Sequence, residues 1–127
     1  MINVFFMILV SLALVACDFS VQWADHPYEV HWIDITENRT LSRRIDGDGS
    51  ATIGRVEAEV IAVGSDDKFV VAKRLEPETD NILYYYLEKS QDGKYLNLDE
   101  ITQGPFSEKY YMQLKEELGL PGFTEEF

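Results

Sequence analysis

The chain has 127 residues, with 23 acidic side chains against 11 basic ones, a formal net charge of −12 and a pI near 4.4. That balance argues against nucleic acid as a partner and against charge-driven adhesion to anionic headgroups; it favours solubility, cation binding or a basic protein partner. A single cysteine excludes an internal disulfide and a cysteine metal site, so packing alone must hold the fold together.

The first seventeen residues set the expected location. Met1-Ile2-Asn3 precedes an apolar run, Val4–Val10, which continues through Leu12-Ala13-Leu14-Val15-Ala16 to the lone Cys17 and then Asp18. An apolar stretch of roughly 7–15 residues ending in small residues is a secretory leader, too short to span a bilayer. Leu14-Val15-Ala16-Cys17 resembles the lipobox of bacterial lipoproteins. The resemblance implies cleavage between Ala16 and Cys17, a diacylglyceryl group on the Cys17 thiol and acylation of the new amino terminus. One departure is that no Lys or Arg stands before the apolar run. Asp18 resembles the inner-membrane retention residue of enterobacterial lipoproteins. The expected organisation is therefore a signal peptide at 1–16 and one small domain at 17–127. Removing 1–16 leaves 111 residues, enough for a single modest core.

Behind the cysteine, Phe19, Val21 and Trp23 alternate with polar residues and predict a short strand before Asp25-His26-Pro27 breaks it. Tyr28–Ile35 predicts a strand with Tyr28, Val30 and Trp32 on one face and His31, Ile33 and Ile35 on the other. Thr40–Ile45 returns the chain, and Asp46-Gly47-Asp48-Gly49-Ser50 is a loop. Ile53–Val63 and Lys68–Leu75 predict a hairpin closed by Gly64-Ser65-Asp66-Asp67. Ile82–Lys89, centred on three tyrosines, is a further strand, and Tyr95–Leu98 a short edge strand. Ser107 can N-cap a helix carrying Tyr110, Tyr111, Leu114 and Leu118, with Gly119 and Pro121 to end it. The expected fold is mainly β (α+β): an antiparallel meander of five or six strands with one C-terminal amphipathic helix.

The Ile/Val-rich hairpin, the Tyr-rich strand, Gly104-Pro105-Phe106-Ser107-Glu108 and the helix ending Leu118-Gly119-Leu120-Pro121 resemble an uncharacterised family of small bacterial lipoproteins, across residues 53–121 and the lipobox. The resemblance implies a small β-rich domain behind a lipid anchor. It carries no catalytic residues.

Three groups of residues carry candidate chemistry. Asp46, Asp48, Ser50 and Glu57 fall at positions one, three, five and twelve of a calcium-loop template, offering hard oxygens to Ca²⁺. Ala51 stands where that loop needs Gly, and the flanks read as strands, so an exposed Asp-Gly turn is the simpler reading. His26 and His31 with nearby carboxylates suggest zinc, but the sequence supplies no third His or Cys to complete a site. Trp32, Tyr84 and Tyr86 are the candidates for an exposed aromatic binding surface, set against the simpler role of half-buried strand residues.

No Gly-x-Ser-x-Gly or phosphate-binding Gly loop occurs. The expected function is a non-enzymatic module, tethered through Cys17 to the outer face of the cytoplasmic membrane. It would bind a protein or envelope component, for instance as an immunity or inhibitor lipoprotein. The alternative is a cation-dependent or carbohydrate-binding envelope protein that uses the Asp46–Glu57 loop.

Overall fold

A computed structural model describes residues 19–45 and 51–127. The signal peptide, Ala16 and Cys17, and the loop residues Asp46, Asp48 and Ser50 lie outside the described residues. The protein is mainly β and antiparallel. Its described residues form nine strands in two sheets rather than the expected five or six.

The first sheet is a meander of β1 (Phe19–Asp25), β2 (Tyr28–Ile33), β3 (Thr40–Arg44) and β4 (Thr52–Val56). The second contains β5 (Val60–Ser65), β6 (Phe69–Leu75), β7 (Ile82–Glu88), β8 (Gln103–Phe106) and β9 (Glu125–Glu126), in the order β8-β7-β6-β5-β9. Two helices, α1 (Leu98–Ile101) and α2 (Glu108–Leu118), flank β8 in the chain.

The period-two pattern sorts residues between two cores. Along β6, Val70 and Ala72 join Tyr28, Val30, Leu41 and Val56 of the first sheet, whereas Phe69 and Val71 join Tyr111 of α2 and Leu120. The second sheet is therefore covered on both faces, by the first sheet on one side and by α2 on the other. Residues such as Val30, Val60, Val63 and Val71 lose all exposure. Each contributes about 1.5–3 kcal/mol by burial.

Two sequence expectations give way to tertiary causes. Ile53–Val63 is not one strand. Val56 pairs with Leu41 in the first sheet and Val60 with Arg74 in the second, so the chain must leave one sheet for the other at Glu57–Glu59. Arginines hold that corner: Arg74 Nε donates to the Ala58 carbonyl at 2.7 Å, and Arg39 donates to the Val60 carbonyl at 3.0 Å and to Glu59 at 2.9 Å. Tyr95–Leu98 is not an edge strand but leads into α1, where Asn97 and Glu100 form a capping box. One edge of the second sheet is β8, and Pro105, which has no N–H to give the ladder, is tolerated at such an edge. The β5–β6 hairpin and α2 lie where the sequence placed them, with Asp66 accepting from Lys68 N and Phe69 N, Ser107 accepting from Tyr110 N, and Gly119 closing α2 at φ 70°.

Tyr111 yields a first prediction. The residue is 1% exposed, its ring stacks 4.8 Å from Tyr84, and burial pushes its hydroxyl up to about 12, yet no partner reaches that hydroxyl among the described residues. A buried hydroxyl without a partner costs about 1–3 kcal/mol. Tyr111→Phe is therefore expected to melt at or above the wild-type temperature. A loss of stability in a thermal melt would show that the hydroxyl is bonded.

Candidate functional site

The site is built around Arg55. A bulge between β3 and β4 sets Leu41 opposite Val56 and Ser42 opposite Gly54, leaving Arg55 without a cross-strand partner. A bulge re-aims the side chain it carries. Arg55 is turned into the protein and is fully buried. Its Nε and Nη2 grip Asp92 at 3.2 and 2.8 Å, Nη1 reaches the carbonyls of Gly54 and Leu96 at 2.9 Å each, and Nη2 also reaches Gly93 at 3.1 Å. All of the guanidinium's donors are thereby used.

Asp92 also accepts from the Tyr28 hydroxyl at 2.7 Å and from Gly93 N at 2.8 Å, with Arg43 at 3.4 Å. Burial by itself would raise the Asp92 carboxyl, but the hydrogen bonds from Arg55 and Tyr28 and the charge of Arg55 outweigh it and hold the group below its ordinary range. The Tyr28 hydroxyl is raised, first by burial and then by its bond to Asp92. This cluster fixes the 89–97 segment to the first sheet.

That attachment shapes a cleft of about 250 Å³ between β4, α1 and β8. Val56, Tyr85, Leu98 and Pro105 form apolar wall, and the carboxylates of Glu57 and Asp99 border it. The Thr102 hydroxyl, also at the cleft, donates to the Arg55 carbonyl at 2.7 Å and fastens α1 to β4. A second cleft of about 280 Å³ is lined from β7, α1 and the start of β8 and is bordered by Tyr86, Glu88 and Glu100. Acidic residues thus border both clefts.

The residues singled out in the sequence separate in space. Glu57 is 71% exposed at its side chain and lies 3.8 Å from Arg74; it belongs to the cleft at α1. His26 is exposed in the β1–β2 turn, whereas His31 is buried in β2 with Nδ1 3.6 Å from Glu29. Burial lowers the His31 pKa, partly opposed by Glu29. Among the described residues, no group of three or more His, Cys, Asp or Glu is placed to hold a metal ion.

The aromatic row is not an open surface. Tyr84 is buried beneath α2, stacked on Tyr111 and close to Phe123, and Tyr86 is partly buried between Phe69 and Phe106. Alternation does send Tyr84 and Tyr86 to one face and Tyr85 to the other, but α2 covers the first face. Trp32 belongs to the other sheet and does not join them. The cleft residues Tyr85, Leu98 and Asp99 carry no local motif. The only sequence signal near them is the Asn97…Glu100 spacing of a capping box.

Searches of protein families, curated proteins and solved structures find no match to this chain. Among the described residues, no helix is long and apolar enough to cross a membrane.

Proposed function

We propose that this protein is a lipid-anchored envelope lipoprotein of the small, β-rich type that its sequence resembles. Residues 1–16 act as the leader and Cys17 carries the lipid. Residues 17–127 form a non-enzymatic module that binds a basic protein partner at the outer face of the cytoplasmic membrane.

The observation that supports this reading is the internal use of the arginines. Arg39 pairs with Glu59, Arg43 and Arg55 with Asp92, Arg44 with Glu29, and Arg74 with Glu57. Of these, Arg39 and Arg55 are buried. The two buried arginines are balanced by the buried Glu29 and Asp92 side chains, which leaves the whole net charge of −12 on the other residues. A field of one sign steers an oppositely charged partner and makes association sensitive to salt.

The test is a pull-down from detergent-solubilised membranes with the intact protein and a Cys17→Ser control. A basic partner retained at low salt, released as ionic strength rises and lost in the control is the expected result. A Cys17-intact protein that fractionates as soluble, or a partner whose retention ignores salt, would overturn the proposal.

A further inference from the structure

We infer that the cleft between β4, α1 and β8 receives an arginine side chain of the basic partner. The inference rests on the binding-module reading above and gives that module its contact point. Size comes first. Pockets for drug-sized ligands run to roughly 300–1,000 Å³, and this cleft, at about 250 Å³, suits a single long side chain.

Charge selects which one. Glu57 and Asp99 are both exposed at the border, and the one cation in the wall, Arg55, has its donors committed to Asp92 and to carbonyls. Arg74 approaches Glu57 only to 3.8 Å, too far for a hydrogen bond, so that carboxylate keeps its acceptor capacity. An entering cation therefore meets two carboxylates, of which only Glu57 has a basic neighbour, Arg74, at ion-pair distance without a hydrogen bond.

Shape and polarity favour guanidinium over ammonium. The apolar walls from Val56, Leu98 and Pro105 match an arginine's methylene stem. Tyr85 supplies an aromatic ring for its planar head, and carboxylates accept from guanidinium through paired donors. The neighbouring cleft, with Glu88 of β7 and Glu100 of α1, adds carboxylates near this one, so a partner with further basic residues beside the anchor arginine is favoured.

The experiment titrates N-acetyl-arginine amide, and separately its uncharged isostere N-acetyl-citrulline amide, into the full-length protein in neutral detergent. The backbone amides of Leu98, Asp99 and Thr102 are followed by NMR. Saturable shifts with the arginine probe at millimolar concentration, the order expected for one side chain, are the expected result. At least tenfold weaker binding to the Glu57→Gln/Asp99→Asn variant is expected with them. Both substituted residues are exposed, so the fold should persist, and unchanged amide shifts elsewhere verify that. Equal shifts from the citrulline probe, absence of saturation, or unchanged binding by the variant would overturn the inference.

The pull-down separates this inference from the reading beneath it. A salt-sensitive partner captured equally well by the double variant overturns the cleft assignment and leaves the binding module standing. A partner that ignores both salt and anchor overturns the module even if the cleft titrates.

Discussion

Replacing Asp92 with Asn is expected to destabilise the protein by about 3–5 kcal/mol, the range for removing one partner of a buried ion pair. The reason is what remains. Arg55 is fully buried and would keep its charge with two of its bonds to the carboxylate weakened or lost, while Tyr28 would lose a charged acceptor. A domain is stable by only about 5–15 kcal/mol, so a loss of this size should lower the melting temperature by more than about 10 °C. Asp25→Asn is the matched control. Asp25 also bonds a cation, Lys89 at 2.7 Å, but its side chain is 39% exposed, and such pairs contribute about 0–1 kcal/mol. Similar melts for the two variants would contradict the assigned role of Asp92.

The same group shapes the acid limb of stability. Its folded pKa lies below the ordinary 3.8, so its contribution is present above that value and fades as pH falls through the lower, folded value. The wild type should therefore lose stability below about pH 4, and Asp92→Asn should flatten that part of the profile. A chemical denaturation series across pH 2–6 reads the difference. Parallel profiles would remove Asp92 from the acid response.

Gly64→Ala is the second large effect. In β5, Gly64 faces the C-terminal segment so closely that an added Cβ would collide with the Gly122 carbonyl and stand 3.1 Å from Phe123 Cα. Both are backbone atoms and cannot rotate away. The segment would have to lift from β5, breaking the bonds from Thr124 N to Val63 and from Phe127 N to Ile61, each 2.9 Å. Phe123 would leave its stack on Tyr111, and Phe127 its place beside Arg39. Two backbone hydrogen bonds and a partly buried ring amount to about 2–4 kcal/mol. Gly122→Ala, with open space around its Cβ, should be close to neutral. Hydrogen exchange locates the damage: the amides of Thr124 and Phe127 should lose protection before those of β6. Retained protection in Gly64→Ala would show that the backbone accommodates the methyl group.

What the sequence determined was local and periodic. Alternation along 28–33, 69–75 and 82–88 placed strands, because a strand buried on one or both faces repeats every two residues. Asp66 closed a hairpin, and Ser107 and Gly119 bounded α2, because turns and caps satisfy backbone groups from neighbours in the chain. Even the split of Tyr84 and Tyr86 from Tyr85 was legible. Partnership across the chain was not. Whether Tyr84 faced water or a helix depended on α2, some twenty-five residues later, folding back over β7. The division of Ile53–Val63 between two sheets followed from their different partners, β3 and β6. Arg55 reads in the sequence as one more charged strand residue. Only the bulge that turns it inward, and Asp92 waiting thirty-seven residues away, make it the buried cation behind the cleft. Period and capping depend on near neighbours, whereas burial and ion pairing depend on which distant segments the fold brings into contact. That contact was decided by tertiary packing alone.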